Sequence, residues 1–200
     1  NITDINITPL HIAFDEVCRC AQNRGIRVTG TEIVGLIPKR TLLEAGTYFL
    51  KKQQRSTGIP EEDIIKIAIM SMGLDDLKPF NPREKVIEYL LEDADKTPKL
   101  IDLTVKEFAN ETSRESPAPG GGTISAYMGA ALGTMVATLS SHKAGWDARW
   151  EEFSNWAEKG QAIQAELMIL VDEDTEAFNR IMSAFGLPKG TDEEKAARSA

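Results

Sequence analysis

Four carboxylates fall within five residues at Asp172-Glu173-Asp174-Thr175-Glu176. On a helix, residues four apart share a face, so Asp172 and Glu176 stand one turn from each other. Carboxylates grouped in this way suit general acid–base chemistry or a divalent cation. They suit a solvated helix face equally well. Leu170, Val171, Ala177 and Phe178 flank the cluster and bring some of these acids close to a core. A second feature is Pro119-Gly120-Gly121-Gly122, directly before an apolar run. The N-terminus of a helix offers unpaired N–H groups and a partial positive charge. Glycines let an anion reach that backbone. Gly120, Gly121 and Gly122 therefore suit a carboxylate, a phosphate or a developing charge, with a flexible turn as the alternative. The run has neither the lysine of a phosphate loop nor a dinucleotide fingerprint. The third feature is His142-Lys143 with Trp146, a cation and an aromatic at the end of the same apolar run. Together they suit an anionic heteroaromatic ligand. Trp146, Trp150 and Trp156 serve equally as packing anchors.

These residues need elements to place them. Asn1 to Thr8 alternates polar and apolar residues, a weak strand signal. Thr8-Pro9 opens a helix with Thr8 as its cap and Leu10, Phe14, Val17 and Cys18 on one face. The β-branched residues of Ile26 to Ile37, broken by Gly30 and Gly35, suggest one or two short buried strands. Pro38 restarts a helix, which ends in the polar run Lys51 to Gly58. Pro60-Glu61-Glu62 starts another, with acids in its first turn. Asn81-Pro82 opens a third, carrying Val86, Ile87, Leu90 and Leu91. Glu92 to Lys99 is charged, contains Pro98 and reads as a linker. Beyond it the pattern is helical throughout: Thr104 caps a helix to about Ser113, Thr123 to Ser140 forms a second, and Glu151 to Ala184 forms one long helix or two with a break near Gly160. Ser116 to Gly122 fits neither helix nor strand. The expected fold is α+β to residue 57 and an all-α bundle after it. The expected domains are 1–57, a helical connector 58–99, and 100–200.

Composition narrows the function. A chain of 200 residues that is 42% hydrophobic and 27% charged is ordinary globular material, which excludes collagen-like, mucin-like and wholly disordered classes. Residues 1–99 hold 14 basic and 15 acidic side chains, and residues 100–200 hold 9 and 16. No basic stripe exists, so no nucleic-acid partner is expected. Two cysteines, Cys18 and Cys20, exclude a disulfide-dense scaffold and point to a reducing, cytoplasmic setting. With only His11 and His142 beside them, no metal site is expected. The apolar run Thr123 to Leu139 would be about 25 Å long as a helix. A bilayer core needs ~30 Å, so a buried bundle helix is expected and no membrane span. Its small residues at Ser125, Gly129 and Gly133 suit a close helix–helix contact, within the chain or across a homo-oligomer. The chain begins at Asn1, and Thr191 with Glu194 forms a capping box for a helix that has barely started. The sequence therefore reads as an internal part of a longer protein.

Three runs in the second half resemble formiminotetrahydrofolate cyclodeaminase: Ser116 to Gly122, Met128 to Val136, and Leu170 to Phe178. Val28 to Pro38 and Leu74 to Phe80, with Ile87-Glu88-Tyr89-Leu90, resemble the end of glutamate formiminotransferase. The two occur in this order in the bifunctional formiminotransferase-cyclodeaminase family. The resemblance implies folate-dependent histidine degradation. Formimino is transferred from formiminoglutamate to tetrahydrofolate, and 5-formiminotetrahydrofolate then closes to 5,10-methenyltetrahydrofolate with loss of ammonia. It implies tetrahydrofolate or its polyglutamate forms as substrate, no metal, and a homo-oligomer formed through the helical domain. On this reading Asp172, Asp174 and Glu176 are the acid–base pool. Ser116, Gly120, Gly121, Gly122 and Lys143 bind the folate. This stretch alone would lack most of the transferase. The rivals are a folate-binding or assembly scaffold without catalysis, and a helical enzyme of the methenyl-folate cyclohydrolase kind.

Overall fold

The computed structural model describes residues 2–92, 100–113 and 120–186. Ser116, the Pro98 linker and the Thr191 capping box lie outside the described residues. The described elements are helices: α1 (Leu10–Gln22), α2 (Lys39–Lys52), α3 (Glu61–Met72), α4 (Pro82–Lys85), α5 (Ile87–Glu92), α6 (Val105–Thr112), α7 (Gly121–Ser140) and α8 (Trp150–Phe185). Short 3-10 turns run over Leu100–Asp102 and Asp147–Arg149.

The expected α+β N-terminal part is not there. Among the described residues there is no strand, and the pairing is a single parallel bridge between Ile37 and Val86. A β-branched run becomes a strand only where another backbone completes its ladder. Among the described residues, 26–36 find no ladder; the Thr31 N–H donates to the Gly73 carbonyl at 3.2 Å, and the run stays irregular, with Val34 89% exposed. The same bridge explains a second difference. Val86 takes an extended conformation (φ −90°, ψ 123°) and divides the expected helix from Pro82 into α4 and α5. In return Val86 is fully buried, and the backbones of Ile37 and of residues 85–87 exchange hydrogen bonds.

Two compact units make up the chain. One takes residues 1–96 and 134–161, the other 97–133 and 162–200. α7 and α8 each contribute to both. The core of the first unit joins Ile37, Leu42, Ala45 and Phe49 to Ile65, Ala68, Ile69, Met72, Leu74 and Val86. These residues recur three and four apart on α2 and α3, as the burial of one helical face requires. Gly46 makes the close crossing possible, since a Cβ there would overlap the Ile64 carbonyl. α3 carries Glu61, Glu62 and Asp63 in its first turn and ends at Gly73, in the left-handed conformation (φ 61°). α1 starts one residue later than expected, at Leu10, with Pro9 in the capping position and no side-chain cap. Its His11 is buried, with the ring 4.5 Å from that of Tyr48 and Nδ1 without a hydrogen-bond partner. Burial pushes the His11 pKa down, against the weaker upward pull of Glu44 and Asp15. The Tyr48 hydroxyl donates to Asp15 at 2.5 Å, and Lys52 reaches the same oxygen at 2.6 Å.

α8 is a single helix of 36 residues, without the possible break at Gly160. Gly160 instead marks a close approach: a Cβ there would overlap the hydroxyl of Thr134 on α7. The close contact on α7 is therefore at Thr134, outside the expected small-residue stripe, while Cβ atoms at Gly129 and Gly133 would meet nothing within 4 Å among the described residues. α7 has 20 residues, beginning at Gly121 rather than Thr123. By length and composition it could cross a membrane. Within the first unit, however, its Thr134 is buried and Thr138 donates to the carbonyl of Gly58 at 3.2 Å.

Candidate functional site

The second unit brings Gly120, Thr123 and Asp174 together. Gly120 closes the first turn of α7, accepting from the N–H of Ile124 at 3.2 Å. The Thr123 hydroxyl donates to Asp174 Oδ2 at 3.3 Å. A Cβ on Gly120 would lie 2.9 Å from that same oxygen. Asp174 on α8 thus directs its carboxylate at the N-terminal turn of α7, where the helix dipole favours negative charge by ~0.3–1 kcal/mol. The other two acids of the expected pool stand apart from this arrangement. Glu176 is exposed and accepts from Arg180 at 3.5 Å, one turn along its own helix. Asp172 is half-buried. Thr175, between them, turns its hydroxyl back to the carbonyl of Val171 at 3.0 Å.

Gly121 and Gly122 have open space where a Cβ would stand. Among the described residues no atom stands within 4 Å of those Cβ positions, as an anion site requires, while Gly120 is already faced by Asp174. Lys143 belongs to the other unit, where its Nζ sits 4.5 Å from the ring of Trp146. Trp146 stacks on Phe153 at 5.1 Å, and Arg149 lies 4.9 Å above the Phe153 ring. The cation–aromatic pairing read from the sequence is therefore present, as an internal contact. Among the described residues no group of three or more His, Cys, Asp or Glu is placed to hold a metal ion.

Sequence reasoning passed over two features. Thr123 reads from the sequence only as a helix start, yet its hydroxyl donates to Asp174. Beside it lies an apolar cavity of about 550 Å³, lined by Leu100, Phe108, Ile124, Tyr127, Met168 and Val171 among others. That volume falls within the ~300–1,000 Å³ typical of small-molecule sites. Ile124 follows Thr123 directly, and Val171 is three residues from Asp174, so the wall of the cavity and the acid share two helices. The spacing of Ile124, Tyr127 and Met128 on α7 was the available signal: three apolar side chains on one helical face.

Comparison with known proteins supplies the family. Residues 1–92 match the formiminotransferase domain model, and residues 104–200 match the formiminotransferase-cyclodeaminase model. The chain belongs to the formiminotransferase-cyclodeaminase family. It is 37% identical to the formimidoyltransferase-cyclodeaminase of Gallus gallus over 99% of its own length, and 35% identical to that of Mus musculus over 100%. It spans 37% of the length of each of these relatives. A methenyltetrahydrofolate cyclohydrolase of Methylorubrum extorquens is 40% identical over 100 residues, 48% of each chain. In family terms the Thr123–Asp174 contact and the α6, α7 and α8 walls of the apolar cavity lie in the second segment, and the α2–α3 core lies in the first.

Proposed function

We propose that the second unit carries part of a cyclodeaminase site for a formimino-folate. There, 5-formiminotetrahydrofolate becomes 5,10-methenyltetrahydrofolate plus ammonia, within a protein that also transfers formimino from formiminoglutamate. One observation carries the reading. A carboxylate held by a neighbouring hydroxyl at a helix N-terminus adjoins an apolar cavity large enough for fused rings. The reaction needs both. The folate nitrogen next to the formimino group attacks the formimino carbon and forms a new C–N bond. That nitrogen gives up its proton, and the bond to the departing nitrogen breaks as a proton reaches it. One carboxyl group can take the first proton and return the second. Asp174 is the member of the acid pool assigned that role, with Thr123 as its positioning residue. The apolar cavity holds the ring system and excludes water, so that the two reacting atoms stay in contact. The open turn at Gly121 and Gly122 is assigned to the folate's carboxylates.

The exposed apolar residues of α7, Met128, Leu132, Met135, Val136 and Leu139, support a homo-oligomer in which this face is covered. The two free thiols accord with a cytoplasmic setting. The cyclohydrolase likeness supports a second reading: water opening the methenyl compound rather than ammonia leaving to form it. Supplying the full-length protein with each compound in turn separates the two. The first reading expects methenyl product with matching ammonia. The second expects loss of methenyl absorbance without ammonia. Folate binding with neither change would leave a binding or scaffold role.

A further inference from the structure

The two family segments meet in a buried cluster of hydroxyls. Residues 56–58 belong to the segment matched over 1–92, and Thr138, Ser154, Ala157 and Glu158 to the segment matched over 104–200. All of them fall in the same compact unit. Ser56, Thr57 and Ser154 are 1%, 5% and 2% exposed. The Thr57 N–H donates to Ser154 Oγ at 3.0 Å. The Thr57 hydroxyl donates to the carboxylate of Glu158. The 2.9 Å contact between the two hydroxyl oxygens is then made by the Ser154 proton. Thr138 donates to the Gly58 carbonyl, and the Gly58 N–H goes to Ser56 Oγ at 3.2 Å. The Ser56 and Thr57 hydroxyls, the Thr57 and Gly58 N–H groups and the Gly58 carbonyl are thus paired, mostly across the boundary between the segments. Without that pairing, burial would leave several donors and acceptors unmatched.

Gly58 strengthens the argument. A Cβ there would overlap Ala157, at both its carbonyl carbon and its side chain. The backbone of Gly58 is not in the left-handed region, so its conformation is open to any residue. What requires glycine is the approach of α8.

We propose that loop 56–58 and the α7–α8 face form a docking interface that holds the two family segments together independently of the chain joining them. The two activities of such a protein would then be tied by a specific contact as well as by covalent linkage. The test uses the full-length protein with an affinity tag at its N-terminus and a protease site introduced between residues 93 and 99. The chain is cleaved after folding, and the released piece is followed on the resin. The wild-type C-terminal piece is expected to stay bound, and Gly58→Leu is expected to release it. Release of the wild-type piece, or retention of the Gly58→Leu piece, overturns the proposal. If circular dichroism shows that Gly58→Leu fails to fold, the Thr57→Val, Ser154→Ala pair takes its place. Its piece should wash off faster than the wild-type piece, and unchanged retention refutes the role given to the hydroxyls.

Discussion

Gly120→Ala should cost activity without costing the fold. The Gly120 backbone is outside the left-handed region, so alanine meets no conformational penalty there. The new methyl would lie 2.9 Å from Asp174 Oδ2, closer than real Cβ contacts permit. The nearest relief is rotation of the Asp174 side chain, because the other neighbour within 4 Å is the Thr123 hydroxyl at 3.7 Å. The carboxylate must give by some tenths of an ångström and lose its 3.3 Å bond from Thr123. A misplacement on the order of 1 Å can cost about 10²-fold in rate. That is about 2.7 kcal/mol of transition-state stabilisation. The assay is methenyl formation by the full-length protein, beside a thermal melt of the same sample. The shift here is smaller, so the expected result is turnover down by up to about tenfold, with an unchanged melting temperature. The double variant Gly120→Ala, Asp174→Asn should be no slower than Asp174→Asn alone, because the methyl acts only through the acid. Unchanged turnover in Gly120→Ala, or additive losses in the double variant, would refute the reasoning.

Three further outcomes follow from the packing. Leu42→Ala empties a fully buried position in the α2–α3 core and should lower stability by about 2–5 kcal/mol, read by denaturant titration. Burial holds the His11 pKa below its ordinary 6.5, so its contribution to stability is complete above that pH and is lost as pH falls through the depressed folded value. Burial, then the charge of Arg55, also lowers the pKa of His142, which adds a loss of the same sign. His11→Phe keeps an aromatic ring against Tyr48 and removes one titration, so stability below about pH 6 should fall less steeply, by at most ~1.4 kcal/mol per pH unit. An identical pH profile for the two proteins would contradict the burial argument. Met168→Trp places a larger side chain in the wall of the apolar cavity and should raise KM for the folate while the melting temperature holds; an unchanged KM would remove the cavity from the site.

The helices were legible in the sequence because their signals are local. Pro38, Pro60 and Asn81-Pro82 mark real helix starts, and Gly73 a real end. Thr104 and Glu107 form the reciprocal cap on α6, with the Thr104 N–H donating to Glu107 at 2.9 Å. The misreadings involve partners far away in the chain. Residues 26–37 have strand composition, but a strand is a relation between two backbones, and among the described residues of this run only Ile37 forms a bridge. Gly121 and Gly122 looked like helix breakers, yet glycine costs only about 1 kcal/mol within a helix, and α7 absorbs both in its first turn. Gly160 left one helix or two open and is a crossing point within one, because the advantage of a missing side chain depends on Thr134 standing opposite. The site was half legible for the same reason. Composition singled out Asp172, Asp174 and Glu176 as a group. Only the approach of α7 to α8 separates Asp174, which meets Thr123 and Gly120, from Glu176, which meets Arg180.

The most direct test of the central claim is turnover of 5-formiminotetrahydrofolate by full-length Asp174→Asn, followed by methenyl absorbance and ammonia release together. Asparagine keeps the size of the side chain and its bond to Thr123 but cannot carry the proton. General acid–base catalysis is worth ~10²–10⁴-fold, so turnover should fall by that order, with folate affinity retained and Glu176→Gln near wild type. Wild-type rates in Asp174→Asn, or a greater loss in Glu176→Gln, would contradict the assignment of the acid and with it this account of the site.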